Sequence, residues 1–237
     1  MERALDSKSD SVFETLLHGI VAGEYRQGAH LPAERELART LGASRSTLRD
    51  AIRRLTEWGL LEPRRGAGVL VRDRHEWSIE VLPAYLRFGD SDADSIGTLV
   101  RDLLAMRRGL FSALLPPVAE RLSGQPLPRT RQLAKDAWDS RERPGVFAAA
   151  DFEMIRSVFE AAHMLPAVWI LNRVAGVYVD IARSVSGAMS PPEDYVESHH
   201  GWIGALEAGD APSALVQLEA YFLRHDSRLL SLWGLNP

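Results

Sequence analysis

The chain has 237 residues, of which 46% are hydrophobic, so it has room for two modest domains or one large one with buried cores. It has no cysteine, which excludes a disulfide framework and a thiolate metal site, and it shows neither an apolar stretch of membrane-spanning length nor the basic and apolar start of a signal peptide. The net formal charge of −4 excludes a uniformly basic protein, and these features together predict a cytoplasmic protein without a membrane partner.

The first predicted elements are three helices. An amphipathic helix with apolar residues three and four positions apart ends before Gly23. A short helix covers Glu34 to Thr40, Gly42 can take the positive φ that a helix end favours, and Ser44 is placed to cap a third helix that reaches Trp58. Apolar residues of the third helix repeat at helical spacing and are predicted to enter a core: Leu48, Ala51, Ile52 and Leu55.

Arginines occupy the other face of the third helix. Arg45 and Arg49 are four residues apart and project from its first turns, the part of a recognition helix that enters the major groove. One guanidinium can take two hydrogen bonds from a guanine edge, and such a pair discriminates between bases by about 1–3 kcal/mol. Hydroxyl groups lie nearby, on Ser44, Ser46 and Thr47. The alternative is an ordinary solvated helix face made of Arg45, Arg49, Arg53 and Arg54.

Two short apolar runs around a glycine-containing loop follow and predict a β-hairpin. The runs cover residues 60–63 and 69–71, and the loop covers residues 64–68. Gly66 lets the backbone come close to a phosphate or a groove wall, and Arg65 beside it is a candidate contact for the minor groove or a phosphate. Helix, turn, helix and hairpin in this order predict a winged helix-turn-helix that binds double-stranded DNA.

The charge is divided unevenly along the chain. From Arg35 to Arg74 there are 10 arginines and 5 acidic residues, whereas residues 75–237 hold 15 basic and 21 acidic residues. A basic segment in an acidic chain can neutralise phosphates locally, with an affinity that falls as salt rises. The sequence therefore predicts DNA binding through one restricted face.

The segment from Leu31 to Val71 resembles the DNA-binding domain of the GntR family of bacterial transcription regulators. The resemblance rests on three runs of sequence, LPAERELA from Leu31, LGASRSTLR from Leu41 and GLL from Gly59. It implies that the family's DNA contacts fall on Arg35, Ser44, Arg45, Ser46, Arg49, Arg65 and Gly66, with the hydroxyl of Thr47 beside them.

A short charged segment, residues 73–79, is predicted to link the winged helix-turn-helix domain, residues 1–72, to a second domain, residues 80–237. The second domain shows no convincing alternating strand pattern, but six or seven helical runs separated by Gly, Pro and Asp turn signals. A long amphipathic helix near its start is expected to end at Pro116-Pro117. The expected fold class is mainly α, with a small hairpin wing in the first domain and an all-α helical bundle in the second.

This second domain resembles the effector-binding domains of the FadR group within the GntR family, which form all-helical bundles. Many members of the group hold a divalent metal through one Asp and three His, with the Asp and the first His four apart on one helix. The pattern falls here on Asp151, Ile155, His199 and Tyr221, so two of the four ligands are missing. The sequence predicts no metal cofactor, and the alternative is a metal held by Asp151 and His199 with help from a group such as His200.

Other stretches of this domain look like those of the metal-free members of the group, which sense fatty acyl-CoA. The resemblance implies an effector arginine at Arg107, which could meet a carboxylate, a thioester or a phosphate, or could instead form a salt bridge between helices. Further candidates for the effector pocket could equally be satisfied core residues: Tyr178, Arg183, His199 and Tyr221.

Sequence signals for catalysis are missing. The chain has neither a nucleotide-cradling glycine loop nor a serine-hydrolase elbow, so no enzyme is expected. We expect a homodimeric transcription regulator that reads a palindromic operator with half-sites about 10 bp apart. A small-molecule effector, with an acyl-CoA or related fatty-acid effector favoured, would modulate its DNA affinity. The alternatives are a metal-dependent regulator that senses a small carboxylate, and a second domain that only dimerises or is a ligand-modified enzyme.

Overall fold

The computed structural model describes residues 2–89, 93–184 and 191–232 of the chain. Contacts along the chain divide it into two compact units, one that ends at residue 92 and one that begins at residue 93. The strands found in the described residues form one two-stranded antiparallel sheet, and helices make up most of the remainder. The predicted fold class, mainly α with a hairpin wing before a helical bundle, is confirmed.

The first unit begins with three helices, α1 (Glu2–Val21), α2 (Glu34–Thr40) and α3 (Arg45–Glu57). The turn between α2 and α3 contains Gly42 with a φ of +58°, as predicted. Apolar residues at helical spacing on α1 and α3 point into one core, since these are buried: Val12, Phe13, Leu16, Leu17, Ile20, Val21, Leu48, Ala51, Ile52 and Leu55.

The wing is a hairpin of β1 (Leu61–Arg64) and β2 (Gly68–Val71). Leu61 pairs with Val71 and Arg64 pairs with Gly68, so residues 65–67 form the loop. The segment before α2 bonds to β2 on its other edge, because the Leu31 N–H donates to the Val69 carbonyl oxygen at 2.8 Å. Both edges of β2 are therefore paired, and the buried Leu61 and Val71 tie the hairpin to the core of the first unit.

Residues 74–88 also belong to the first unit. They form 3-10 turns at Arg74–Glu76 and Ile79–Val81 and then helix α4 (Leu82–Phe88), which lies against α1. Gly59 permits this approach, because its φ is +78° and a Cβ there would lie 2.3 Å from the Glu76 carbonyl oxygen. The segment predicted as a linker, residues 73–79, thus differs from a free connection, since the apolar residues that follow it enter the first core, among them Val81 and Ala84.

In the described residues the second unit contains six helices. They are α5 (Ala93–Leu122), α6 (Pro128–Asp139), α7 (Pro144–Ala161), α8 (Leu165–Ser184), α9 (Tyr195–Glu207) and α10 (Ala211–Leu232). Helix α7 packs on α6 and α8, α10 packs on α5 and α9, and α6 also contacts α9. Their shared core holds large buried side chains, including Phe147, Met154, Phe159, Trp202 and Phe222.

Helix α5 continues past the point where it was predicted to end. Pro116 and Pro117 lie inside it, and the helix runs on to Leu122. A proline removes a backbone hydrogen bond and crowds the preceding turn, which led to the wrong prediction of a helix end at this pair. Packing outweighs that local cost, because apolar residues on both sides of the pair are buried: Leu115, Val118, Ala119 and Leu122.

Helix α8 is the one helix among the described residues that is long and apolar enough to cross a membrane, judged by length and composition alone. This corrects the expectation that no apolar stretch reaches that length. Only 22% of the Leu165–Arg183 window is buried, and the buried part includes Ala167 and Val168 in the core of the second unit. Large apolar side chains on the rest of the helix are exposed: Leu165, Trp169 and Ile170.

Candidate functional site

A serine cap gathers hydroxyl groups at the first turn of α3. The Ser44 Oγ accepts a hydrogen bond from the Thr47 backbone N–H at 3.1 Å, as predicted for a capping residue. The hydroxyl oxygens of Ser46 and Thr47 each lie 2.8 Å from the same Ser44 Oγ. These polar groups stand at the positive end of the helix dipole, an arrangement that favours phosphate binding.

Three arginines near the first turns of α2 and α3 and in the hairpin are exposed, and their side chains make no hydrogen bond or ion pair with any described residue. The same is true of Arg26 and Arg39 elsewhere in the first unit. Arg35 lies on α2, Arg45 is the first residue of α3, and Arg65 lies in the hairpin loop. Each presents a full positive charge and five N–H donors to solvent. Gly66 beside Arg65 has a φ of +74°, and the space around its Cβ position is open, so the backbone at the loop tip is accessible.

Arg49 has a partner on the preceding helix. Its Nε donates to the Glu34 Oε2 at 2.9 Å, although the Arg49 side chain remains 68% exposed. Because Glu34 begins α2 and precedes Arg35, this pair brings the start of α2 next to the first turns of α3. Arg49 is therefore held by one of its five donors while the others face solvent.

Two arginines further along α3 have structural roles instead. Arg53 bonds to Asp50 at 2.7 Å and to Glu57 at 2.6 Å on its own helix. The Arg54 guanidinium carbon lies 4.0 Å from the centre of the Phe13 ring on α1, and its Nη1 bonds to Asp10 at 2.8 Å. The solvated-face interpretation therefore fits Arg53, whereas Arg54 joins α3 to α1.

In the second unit, Asp151 of α7 sits in a polar cluster that joins three helices. The Tyr195 hydroxyl donates to its Oδ1 at 2.6 Å, and the Tyr178 hydroxyl donates to its Oδ2 at 2.8 Å. Burial, and then the charge of Asp151, raises the pKa of Tyr178 and of Tyr195 above the ordinary range of a phenol. Both hydroxyls therefore stay protonated and occupy both carboxylate oxygens as donors.

His199 lies beside this cluster on α9. Its Nδ1–H donates to the Tyr195 carbonyl oxygen at 2.7 Å, and its ring centre is 4.6 Å from that of Tyr221, edge-on. Burial lowers the pKa of His199, so the ring is neutral. His225, one turn beyond Tyr221 on α10, stacks on the tyrosine ring with 5.8 Å between centres.

The residues at the family's metal positions do not fit a divalent metal. Both oxygens of Asp151 already accept hydrogen bonds from tyrosines. Ile155 offers no donor atom, and burial raises the pKa of Tyr221, so its hydroxyl stays protonated. Within the part of the chain that the structure describes, no group of three or more potential ligands is placed to hold a metal ion.

Arg107 forms the inter-helix ion pair that the sequence left as its alternative role. It reaches from α5 to Asp226 on α10, and the neighbouring Arg108 bonds to the other oxygen of the same carboxylate. The Arg107 guanidinium carbon also lies 4.2 Å from the centre of the Phe222 ring. Phe222 in turn packs on Tyr221, with 6.1 Å between ring centres, so Arg107 lies beside the aromatic rings of α10. The positive charge of Arg107 acts to lower the pKa of Tyr178, Tyr221 and His225.

The structure thus brings together four of the five predicted effector residues and leaves one apart. Arg107, Tyr178, His199 and Tyr221 surround the same cluster, whereas Arg183 is 66% exposed and pairs with Asp180 at 3.4 Å. Arg183 lines a separate groove of about 370 Å³ between α7 and α8, whose walls also include Phe152, Arg156, Asn172 and Gly176.

Sequence reasoning missed three members of the cluster: Tyr195, His225 and Asp226. His225 lies four residues after Tyr221, so both occupy one face of α10, and this spacing could have pointed to it. Tyr195 lies four residues before His199 in the same way. No local signal marks Asp226 as buried, because its partners come from α5, more than a hundred positions earlier in the chain.

Comparisons with known proteins match both units. The model of the bacterial regulatory proteins of the gntR family matches residues 8–71. A protein of Escherichia coli (strain K12), provisionally named L-lactate dehydrogenase operon regulatory protein, is 30% identical over 223 residues, which cover 90% of this chain and 83% of the relative. A fatty acid metabolism regulator protein of Edwardsiella ictaluri (strain 93-146) is 30% identical over 171 residues, which cover 72% of this chain and 69% of the relative.

A solved structure is similar to this chain in fold. It is that of Lar, described as controlling the expression of the Listeria monocytogenes agr system, and it matches with a TM-score of 0.60 and 20% identity. The match covers 94% of this chain and 97% of that chain. At this identity the likeness concerns the fold alone.

Proposed function

The chain belongs to the gntR family of bacterial regulatory proteins, and on this premise we propose that a small-molecule effector controls its binding to a palindromic operator. Membership makes it a DNA-binding transcription regulator and not an enzyme. The proposal adds that the protein acts as a homodimer and that the effector binds in the helical bundle of the second unit.

The observation that carries the DNA-binding part is the set of exposed arginines without partners on α2, the first turn of α3 and the hairpin loop. Arg45 and Arg49 would read base edges in the major groove, and Arg35 and the hydroxyls around Ser44 would hold phosphates. Arg65 and Gly66 would contact the minor groove or the backbone. Arg49 joins this set because only its Nε is bonded, to Glu34. Arg53 bonds to two carboxylates, and Arg54 bonds to Asp10 and packs on the Phe13 ring, so they are left out.

Dimerisation is proposed because one chain carries one recognition helix. A two-fold axis would place two copies of α3 about one DNA turn apart, and the operator would then be a palindrome. The exposed apolar side chains of α8 support a second copy as their cover, because Leu165, Trp169 and Ile170 are each more than half exposed. Such a DNA-binding protein would work in the cytoplasm, where the chromosome is.

The effector is proposed to be an acyl-CoA or a related fatty-acid compound that binds beside Arg107, Tyr178, His199 and Tyr221. A half-buried arginine next to aromatic rings suits a ligand with an anionic group and an apolar body. The name of the relative from Edwardsiella ictaluri supports this class of ligand. A small carboxylate is the second candidate, favoured by the name of the relative from Escherichia coli and by the same arginine.

The test combines operator selection with ligand titration. DNA selected from a random library by the purified chain should contain two half-sites in inverted orientation, and light scattering should give the mass of a dimer. Oleoyl-CoA should then release the selected DNA in a gel shift at fixed salt, whereas L-lactate should do so if the second candidate is right. If the purified chain selects no DNA sequence, the proposed operator binding is wrong. If no ligand changes the binding of the selected DNA, the proposed control by an effector is wrong.

A further inference from the structure

Asp226 is the carboxylate that bonds to Arg107 across the helix pair α5 and α10. We propose that Asp226 is an internal counter-ion of the effector arginine, and that an anionic group of the effector replaces it at Arg107 when the effector binds. This inference rests on the effector function proposed above. It assigns to Asp226 the role of setting the affinity for the ligand.

Two cations share this one carboxylate. Arg107 and Arg108 are consecutive residues of α5 and bond to different oxygens of Asp226, which is only 4% exposed. The three charged groups carry a net charge of one positive unit. A second anion would therefore balance the cluster, with Arg107 bound to the ligand and Asp226 still bound to Arg108. Neither carboxylate nor guanidinium would lose its partner in this exchange, which avoids the cost of an unpaired buried charge.

Two buried polar atoms beside the pair lack partners. Among the described residues neither the Nε of Arg107 nor the Nδ1 of His225 has a hydrogen-bond partner. Buried polar groups in folded proteins are nearly always paired, so we expect a ligand oxygen or a water molecule to supply the missing bonds here. An anionic oxygen near Arg107 could accept a hydrogen bond from its Nε–H. The ring of His225 stacks on Tyr221 in the same group of aromatic side chains.

The side chains around Arg107 indicate which groups the rest of the ligand should carry. The ring of Phe222 lies under the Arg107 guanidinium, and Tyr221 and His225 stack on each other beside it. Burial and the charges of Arg107 and Arg228 lower the pKa of His225 to about 3, so the imidazole is neutral and adds no charge. The shared chemistry of the proposed ligand is thus an anionic oxygen group, carboxylate or phosphate, attached to an apolar body.

The test uses two variants of opposite expected effect in the full-length chain. Asp226→Asn removes the competing charge but keeps the side-chain shape, and it should tighten the binding of an anionic probe roughly fivefold or more. Arg108→Gln leaves Arg107 as the one partner of Asp226 among the described residues, so it should weaken the binding of the same probe. Glu219→Gln is the matched control, because Glu219 is an exposed carboxylate of α10 that also bonds to α5, through Ser112 at 3.2 Å.

Calorimetric titrations with acetate, oleate and oleoyl-CoA separate the sources of the anion. Acetate and oleate supply a carboxylate without and with an apolar chain, and oleoyl-CoA supplies phosphates with a thioester. A purely structural Asp226 would give lower Tm values and equal or weaker probe binding in both variants, which overturns the proposal. Failure of all three probes to bind Asp226→Asn overturns it too, because two cations freed of their counter-ion should accept a carboxylate.

Gel shifts that measure operator binding in the presence of each probe distinguish a failure of this inference from a failure of the proposed function. If Asp226→Asn binds a probe more tightly while no probe changes operator binding, the counter-ion role stands and the effector function fails. If a probe releases the operator from the wild-type chain while Asp226→Asn gains no affinity, the effector function stands and the counter-ion role fails.

Discussion

Arg49 and Glu34 form an ion pair that ties the recognition helix to the helix before it. The Nε of Arg49 lies 2.9 Å from the Oε2 of Glu34, yet most of the arginine side chain faces solvent. The remaining donors of the guanidinium face solvent, so the contact would orient the side chain for the proposed contact with a base edge or a phosphate. An exposed pair of this kind adds little to stability by itself.

Replacing Arg49 by alanine should weaken operator binding without unfolding the chain. Loss of one bidentate base contact costs about 1–3 kcal/mol, which corresponds to roughly 5- to 150-fold in affinity. Gel-shift titration at controlled salt measures this change. Arg53→Ala is the control on the same helix, because the Arg53 guanidinium forms ion pairs with Asp50 and Glu57. An equal loss in both variants would show that α3 contributes general charge and not base readout.

The cap of α3 can be tested separately from DNA binding. Ser44→Ala removes the acceptor for the Thr47 N–H and should lower the free energy of unfolding by about 0.5–2 kcal/mol, measured by urea denaturation. Ser44→Asp should keep the cap but weaken DNA binding, because it places a negative charge near phosphates. Ser46→Ala is the control, since the Ser46 hydroxyl bonds to Ser44 and caps no backbone group. Equal destabilisation by Ser44→Ala and Ser46→Ala would refute the cap.

Acid should destabilise the second unit through its buried histidines. An unfolded histidine titrates near pH 6.5, whereas burial lowers the pKa of His225 to about 3 and lowers that of His199 as well. Below about pH 6.5 the unfolded chain therefore binds more protons than the native chain. For His225 this stability is present at neutral pH and is lost as the pH falls toward 3, by about 1.4 kcal/mol per pH unit. His199 adds to the loss in the same direction.

Urea denaturation at about pH 7, 6 and 5 measures this slope. His225→Gln should reduce the change in the free energy of unfolding per pH unit by the contribution of one proton. Glutamine keeps a polar side chain but does not titrate. A slope that is the same in His225→Gln and in the wild-type chain would mean that His225 titrates alike in the folded and unfolded states.

Chelation should leave the protein unchanged. Tyrosine hydroxyls already bond to both oxygens of Asp151, and Ile155 and Tyr221 stand at two of the family's metal positions. EDTA should therefore shift the Tm by no more than buffer exchange does, and added zinc or nickel should not raise it. Elemental analysis of the dialysed chain gives an independent reading, in which a stoichiometric metal would contradict the prediction.

The DNA-binding half could be derived from the sequence almost completely, because its signals are local. Helical spacing buries Leu48 and Leu55, Gly42 takes the positive φ, and Ser44 caps α3, all within a few residues of each other. The sequence could not separate Arg45 from Arg54, however. Their different roles depend on α1, which supplies Asp10 and Phe13 to Arg54 alone.

The amino-acid order by itself determined the first three helices and the hairpin of the first unit and the helical character of the second, since periodicity and turn chemistry act over short distances. Only the tertiary structure decided that α5 continues through Pro116-Pro117, that residues after the charged segment join the first core, and that Asp226 faces Arg107. In each case the deciding free energy comes from burial and charge pairing between distant segments, and these contacts exist only after the chain has folded.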